Sequence, residues 1–489
     1  MKDDIQTNLK YKAFSNVVWK FLERFLAQGV SLVVSIVLAR ILLPEDYSVV
    51  SLVTIFFVFA NVLISGGLNT ALIQKKDADI EDYSTILHIS VLIAVATYII
   101  LFFTAPFLSA LFNQPSFTLI VRIMALVLPI NAVKSIWTAY ISSNLKFKKF
   151  FFATLGGTLF SAIIGIVLAL KGFGPWALVA QQMSNAVVDT IILIATTRIK
   201  ILPKISFSKF KSLFGYGWKI LVSGLIGAAY TEFVPLIIGI KYNKTDLSYY
   251  TKGKSFPAVI SQTINNTLSA VLFPVLSKKQ EDKQAVLEYT RKFIRISSFV
   301  VVPIMLGFFA ISDNFVYTIL TEKWMDSSFY IKLFCIVALF DVIAIGNCET
   351  IKAIGRSGVY LIIEIIKKIS YFVIIFLFVF LTPNPRLLAI SAIACTVVQL
   401  LVNSIPNKFL INYKFTQQLA DLLPNLLIGA IMCLAVLLVK YTDPEYGIMS
   451  LIKQVLIGIS FYFALAFATR NKSLYYLIGV IKGFAKKSV

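Results

Sequence analysis

Several charged side chains lie inside long apolar stretches of this sequence. An ionisable group at the centre of a bilayer costs about 2.5–3.5 kcal/mol, so each must have a partner or face a polar cavity. Lys20, Glu23 and Arg24 have the i, i+3, i+4 spacing that places side chains on one face of a helix. Two interpretations stay open: an internal ion pair near the end of a helix, and a basic pocket wall in which Glu23 positions Arg24.

Further cations lie in later apolar stretches. Lys254, Ser261 and Asn265 share a helical face, and this polar stripe indicates a water-filled cavity more than interhelical hydrogen bonding. Such a cationic cavity would attract a phosphate or pyrophosphate and would bind a hydrophobic cation poorly. The predicted substrate-binding residues of the cavity are Lys20, Arg24, Lys134, Lys219, Lys252, Lys254, Ser261 and Asn265.

Acidic residues inside the apolar stretches have two possible roles. Glu364 precedes Lys367 and Lys368 at i+3 and i+4, which predicts a structural pair. Asp189 and Asp341 could each bind a coupling cation or pair with a lysine, and the sequence does not choose. We predict a supporting or ion-coupling role, with H⁺ or Na⁺ as the ion, for Glu23, Asp189 and Glu232.

Metal, redox and hydrolytic chemistry lack support in the sequence. His88 is the single histidine and is expected to be a buried polar residue with a local partner. The four cysteines lie in apolar stretches at spacings unlike zinc or redox motifs. The patterns G-x-x-x-x-G-K-[ST], H-E-x-x-H and G-x-S-x-G do not occur. We therefore expect neither an enzyme nor a cofactor.

The elements that must position these residues are membrane helices. The chain is 58% hydrophobic and 14% charged, whereas soluble domains carry about 25% charged residues. About fourteen stretches reach the roughly 20 residues needed to span a bilayer. Their approximate cores are 15–39, 48–72, 84–105, 117–141, 150–170, 175–197, 216–240, 249–275, 293–312, 329–350, 358–381, 387–411, 420–439 and 448–469. The predicted fold class is an all-α membrane protein.

The positive charge follows membrane topology. With both termini in the cytoplasm, lysines and arginines favour the inside loops over the outside loops by about four to one. The net charge of +22 therefore indicates orientation in a membrane and not binding to nucleic acid.

A short repeat predicts two pseudo-symmetric lobes. Trp19-Lys20 and Asp46 recur as Trp218-Lys219 and Asp246, six spans later, at nearly the same interval. We predict a first six-helix lobe at residues 1–205, a second at 206–415, and a C-terminal helix pair with a basic tail at 416–489.

Four short motifs resemble the polysaccharide-transport (Wzx-type O-antigen and exopolysaccharide) flippases of bacteria, within the multidrug/oligosaccharidyl-lipid/polysaccharide exporter superfamily. They are LARILLPEDY at 38–47, ALIQK at 71–75, FPVLS at 273–277 followed by Pro303, and AIGR at 353–356. One departure is Ser48, where similar sequences often have glycine. The resemblance covers the whole chain.

The resemblance implies translocation of an undecaprenyl-pyrophosphate-linked oligosaccharide across the bacterial inner membrane by alternating access. It also implies that the last two spans line a groove for the lipid tail, as in the lipid II flippase. The expected partners are the lipid-linked oligosaccharide, membrane lipids and polysaccharide polymerase machinery. Two alternatives remain: a cation-coupled multidrug antiporter with an acidic, aromatic cavity, and a membrane-embedded polysaccharide polymerase.

Overall fold

The computed structural model describes residues 26–75, 77–144, 146–381, 383–442 and 445–487, and within these ranges it contains helices and turns but no β-strand. The helices in chain order are α1 (Leu26–Ile41), α2 (Pro44–Asn61), α3 (Leu68–Gln74), α4 (Ile80–Leu111), α5 (Pro115–Met124), α6 (Val127–Ser143), α7 (Phe147–Leu170), α8 (Pro175–Thr197), α9 (Phe207–Lys241), α10 (Lys244–Ser277), α11 (Lys283–Phe315), α12 (Ser327–Ala353), α13 (Ser357–Leu381), α14 (Pro385–Leu410), α15 (Phe415–Thr442), α16 (Ile448–Ala468) and α17 (Lys472–Lys487). A π-helical turn follows α2 at Val62–Gly66 and another follows α11 at Val316–Leu320.

The predicted all-α membrane class is confirmed. Within the described ranges, eleven helical segments are long and apolar enough to cross a membrane. The three other predicted stretches also fall on helices: on α1, which has 16 described residues, and on α10 and α13, which carry charged residues. Fourteen spans is therefore an approximate count.

Local sequence signals mark where several helices begin. Proline occupies the first turn of α2, α8 and α14, where a missing backbone N–H breaks no helical hydrogen bond. The carboxylate of Asp79 accepts a hydrogen bond from the backbone N–H of Asp82 at 2.8 Å and caps α4. Asp282 caps α11 through the N–H groups of Gln284 and Ala285, both at 3.0 Å.

The turn before α4 is joined to the start of α9 by ion pairs. Lys75 lies 2.7 Å from Asp82, and Lys209 of α9 lies 2.5 Å from Asp79. The hydrogen bond from Lys209 lowers the pKa of Asp79 to about 2. The Lys209–Asp79 contact ties the end of the 198–206 connection, where α9 begins, to the start of α4.

The chain divides into two compact units, residues 1–248 and 249–489. The N-terminal unit includes α9, which packs on α2, α3 and α4. Its core joins α3, α4, α6, α8 and α9 through Leu72, Ile86, Trp137, Leu193 and Leu213. The lobe boundaries at 205/206 and 415/416, which are inferred from the sequence repeat, stay a prediction.

Two turns of the predicted repeat meet inside the N-terminal unit. The hydroxyl of Ser248, just after Asp246, donates a 2.7 Å hydrogen bond to the backbone carbonyl of Pro44. Ser48 instead bonds its own turn, to the carbonyl of Glu45 at 2.6 Å. The departure from glycine at position 48 is therefore accommodated by a local hydrogen bond.

In the C-terminal unit, α11 packs against α12, α15, α16 and α17. A buried amide network joins α12, α14 and α15: Asn347 donates to Gln418 at 2.8 Å, and Asn407 donates to Asn347 at 2.6 Å. Polar side chains in a membrane protein hold helices together in this way because lipid offers them no partner.

Two predicted local contacts are confirmed. Nδ1 of His88 lies 2.6 Å from the carbonyl oxygen of Ser84 on its own helix, although the residue is half-buried and not buried as predicted. Glu364 pairs with Lys367 at 2.5 Å. The four cysteines are free thiols.

We predict that Gly67→Ala destabilises the N-terminal unit by about 1–3 kcal/mol, the usual cost of overpacking. A Cβ on Gly67 would lie 2.2 Å from the backbone oxygen of Gly217, and backbone cannot move aside as a side chain can. Thermal unfolding in detergent measures the effect.

The matched control is Gly215→Ala, two residues from the contact on α9. A Cβ there meets nothing within 4 Å, so the higher helix propensity of alanine should leave stability unchanged or slightly raised. Equal unfolding temperatures for the Gly67 variant and the wild type would show that the two backbones do not approach this closely.

Candidate functional site

A polar cavity of about 690 Å³ lies within the N-terminal unit. Its walls come from five helices, α1, α2, α6, α7 and α8. Eleven of its eighteen lining residues carry an amide or a hydroxyl group: Gln28, Ser31, Thr54, Asn61, Asn131, Thr154, Thr158, Ser161, Gln181, Gln182 and Asn185. Among the lining residues, Lys134 carries the only charge.

Lys134 on α6 pairs with Asp189 on α8. The ammonium Nζ lies 2.5 Å from Oδ2 of the carboxylate, and the aspartate side chain is 2% exposed against 28% for the lysine. Oδ1 of Asp189 is buried, and no donor reaches it from the described part of the chain. The pair places one balanced charge beside the cavity, with its lysine end towards the open space.

Glycines on α7 allow α8 to approach closely enough for this pair. A Cβ on Gly157 would lie 2.9 Å from Cβ of Asp189, and one on Gly165 would lie 3.0 Å from Cβ of Gln181. Small residues let membrane helices pack backbone against backbone. The glycines therefore determine how closely Gln181 and Asp189 of α8 approach α7.

Side-chain hydrogen bonds hold the amides of the cavity in place. Asn131 donates from Nδ2 to Oδ1 of Asn61 at 3.0 Å, which joins α6 to α2. Asn185 donates to the hydroxyl of Ser161 at 3.3 Å, which joins α8 to α7. An amide has two donors and an acceptor with two lone pairs, so these residues keep capacity for a ligand. The cavity suits a ligand rich in hydroxyl groups.

Two further predicted residues of the N-terminal unit, Lys219 and Glu232, do not line this cavity. Lys219 is exposed on α9, and Glu232 is half-buried further along the same helix. Lys20, Glu23 and Arg24 lie outside the described residues.

In the C-terminal unit, the two predicted lysines of α10 lie over aromatic rings. Lys252 is 6% exposed, with its ammonium 5.6 Å from the ring centre of Trp324. Lys254 lies 5.8 Å from the ring centre of Tyr250 and 5.9 Å from that of Phe334. Cation–π contact partly replaces the water that these ammonium groups lose.

The predicted polar stripe of α10 is linked to a carboxylate. Asn265 donates to the hydroxyl of Ser261 at 2.9 Å, and Ser261 donates to Oδ2 of Asp341 on α12 at 3.3 Å. The stripe therefore forms an interhelical chain that begins on α10 and ends on Asp341.

The predicted site consists mainly of charged residues and does not include the amides that line the cavity. Gln181, Asn185 and Asp189 recur at intervals of four, which places them on one face of α8, and Asn131 and Lys134 are three apart on α6. These spacings were present in the sequence. Nothing in the sequence indicates that these faces of α6 and α8 meet.

A second cavity, apolar and about 780 Å³, lies in the C-terminal unit. It is a groove lined mainly by α11, α15, α16 and α17, with Phe299, Ile304, Met432 and Tyr462 among its walls. The helices α15 and α16, predicted as the thirteenth and fourteenth spans, border this groove. Its role as a groove for the lipid tail stays a prediction.

Several known proteins are similar in sequence to this chain over much of its length. The succinoglycan biosynthesis transport protein ExoT of Rhizobium meliloti (strain 1021) is 24% identical over 314 residues, which is 63% of this chain and 63% of that protein, just under two thirds. The lipopolysaccharide biosynthesis protein WzxC of Escherichia coli (strain K12) is 21% identical over 344 residues, 70% of this chain and 69% of that protein.

The fold has a solved counterpart. The lipid II flippase MurJ, in an inward closed conformation, superposes with a TM-score of 0.72 at 16% identity, covering 96% of this chain and all of that one. At this identity the likeness shows the fold alone. The sequence profile of the family described as "Polysaccharide biosynthesis protein" matches residues 37–329, which is more than half of the chain. This multi-pass membrane protein therefore belongs to the polysaccharide biosynthesis protein family.

Proposed function

We propose that this protein is a flippase for an undecaprenyl-pyrophosphate-linked oligosaccharide, a repeat unit of O-antigen, capsule or exopolysaccharide. It would carry the headgroup from the cytoplasmic to the periplasmic leaflet by alternating access, while the lipid tail stays in the bilayer. The observation that carries the proposal is the 690 Å³ cavity, lined with amides and hydroxyls, among helices that span the membrane.

The chemistry of the cavity fits sugars. Sugar hydroxyls both donate and accept hydrogen bonds, as do asparagine and glutamine amides. A carboxylate alone would offer only acceptors, and a lysine only donors. An amide-rich wall can therefore bind several sugars while still replacing the water that each one loses.

Lys134 supplies the charge for the phosphate end of such a ligand. Its partner Asp189 balances it when the cavity is empty, because an unpaired ammonium in the membrane is costly. Arg24, Lys219, Lys252 and Lys254 stay predicted ligands of the pyrophosphate. Coupling to H⁺ or Na⁺ through Asp189 or Glu232 also stays a prediction.

The relatives support transport over catalysis. ExoT is named as a transport protein for succinoglycan biosynthesis, WzxC as a lipopolysaccharide biosynthesis protein, and MurJ as a lipid II flippase. By this analogy the protein lies in the bacterial inner membrane and handles a lipid-linked sugar. Polymerase machinery remains a proposed partner.

The multidrug antiporter is the weaker proposal. It requires an acidic, aromatic cavity, whereas the described lining residues include one aromatic ring, Phe57, and no carboxylate. The polymerase alternative requires large outside loops with clustered arginines, which the sequence lacks.

We predict that Gln181→Leu and Asn185→Leu each slow flipping at least tenfold, because each buries a sugar hydroxyl against an apolar group. The assay uses purified protein in proteoliposomes with a fluorescent undecaprenyl-pyrophosphate oligosaccharide and an impermeant reagent for the exposed headgroup.

Ile191→Leu, on the exposed face of the same helix, is the matched control and should flip at the wild-type rate. Wild-type rates in both cavity variants would remove this cavity from the proposal but keep the flippase. Failure of the wild type with several sugars, together with proton-driven dye export, would favour the antiporter.

We predict that Lys134→Gln and Asp189→Asn each destabilise the protein by about 2–4 kcal/mol, below the 3–5 of a fully buried pair since Lys134 is 28% exposed. Each leaves one charge unpaired. The double variant leaves no charge unpaired and should recover most of the lost unfolding temperature. It should still flip the substrate slowly, because it lacks the ammonium group of Lys134. Additive losses in the double variant would refute the pairing.

The proposed orientation has its own test. In a cysteine-free background, Lys171→Cys, an exposed position in the α7–α8 turn, should react with an impermeant maleimide in intact cells. Lys279→Cys, in the α10–α11 turn, should react only after permeabilisation. The reverse pattern would place both termini in the periplasm.

A further inference from the structure

Two arginines of α11 converge on one buried carboxylate of α15. Nε of Arg291 lies 2.7 Å from Oδ2 of Asp421, and Nη2 of Arg295 lies 2.5 Å from Oδ1. The aspartate is 3% exposed, while the arginine side chains are 36% and 40% exposed. The hydroxyl of Tyr413 also donates to Oδ2, at 2.7 Å. Asp421 therefore orients two guanidinium groups whose outer edges remain accessible.

The arginines face a small cleft with two further cations. The cleft has a volume of about 310 Å³ and joins α11 to the start of α17, where Lys472, Ser473 and Tyr476 line it. Lys292 lies 3.8 Å from the ring centre of Tyr476. We call this cleft the basic cleft; its lining residues are Glu288, Arg291, Lys292, Arg295, Ile296, Lys472, Ser473 and Tyr476.

The charges of the basic cleft do not balance. Its four cations face Glu288 at the cleft and Asp421 behind it, which leaves an excess of two positive charges. Each guanidinium has five N–H donors and spends part of them on Asp421. An anionic group with several oxygens, such as a phosphate, would use the remaining donors.

The basic cleft and the apolar groove of the same unit are neighbours along two helices. On α11, Phe299 of the groove follows Arg295 by one helical turn. On α17, Leu474, Leu477 and Ile478 line the groove while Ser473 and Tyr476 line the cleft. The charged cleft therefore lies beside one end of the apolar groove.

The dimensions of the groove fit one lipid chain. From Phe299 to Ile311 it follows twelve residues of α11, or about 18 Å at the rise of an α-helix. One leaflet contributes about half of the roughly 30 Å hydrocarbon core. An acyl chain of an ordinary phospholipid has this reach, whereas an extended undecaprenyl chain is far longer.

We propose that the basic cleft and the apolar groove together bind one anionic glycerophospholipid of the surrounding bilayer. The headgroup phosphate would lie between Arg295 and Lys472, and an acyl chain would occupy the groove along Ile304 and Ile459. The lipid would join α17 to α11, α15 and α16. This inference does not depend on the proposed transport activity.

Native mass spectrometry of the detergent-purified full chain tests the proposal, with dioleoylphosphatidylglycerol as the probe and dioleoylphosphatidylcholine as the neutral comparison. We expect one phosphatidylglycerol to be retained with at least fivefold higher affinity than phosphatidylcholine. Lys292→Gln and Lys472→Gln should each weaken phosphatidylglycerol binding about fivefold, the effect of one basic residue at an anionic membrane. Ile304→Trp, which fills the groove, should weaken binding of both lipids.

Lys414→Gln is the matched control. Lys414 is an exposed lysine before α15 that does not line the basic cleft, so the variant should bind phosphatidylglycerol with the wild-type affinity. Equal retention of the two lipids would overturn the proposal, as would unchanged affinity in the Lys292 and Lys472 variants. Displacement of phosphatidylglycerol by inorganic pyrophosphate would show a phosphate site without a lipid site. Displacement by an equal amount of undecaprenyl pyrophosphate would assign the surface to a polyprenyl lipid instead. Unfolding temperatures verify that every variant is folded.

Discussion

A charge inside a membrane needs a partner within the protein or a polar cavity, because lipid cannot solvate it. The Lys134–Asp189 pair meets this constraint in the N-terminal unit, and the Asp421 cluster meets it in the C-terminal unit. In both clusters the carboxylate is almost fully buried, and the cations it holds are partly exposed. Buried aspartates thereby make exposed cations tolerable at positions where a ligand can reach them.

Close helix packing makes these pairings possible. Lipid tails are as apolar as leucine, so membrane helices gain little from the hydrophobic effect and depend on van der Waals contact and interhelical hydrogen bonds. Gly157 allows α8 to approach α7 at the level of Asp189, and Gly67 allows α3 to approach α9. Asparagine and glutamine supply the hydrogen bonds in both units, around Asn131 and around Asn347.

The two cavities offer different chemistry in different parts of the fold. The N-terminal cavity offers amides and hydroxyls and suits a sugar, whereas the C-terminal groove offers apolar walls with a basic end and suits a lipid. Their separate locations also allow each to be tested by substitutions that leave the other intact.

The sequence by itself determined the membrane class, the approximate position of the helices and the local pairs. Long apolar runs dictate spanning helices, and the i, i+3 spacing of Glu364 and Lys367 dictates their contact, since both are properties of a single helix. Only the tertiary structure decided which of the charges face a cavity. Lys134 meets Asp189 some 55 residues away, and Lys252 lies buried over Trp324, because helix packing and not spacing brings those side chains together. The amides on α8 follow one face of that helix in the sequence. Only the packing of five helices places them in the wall of one cavity.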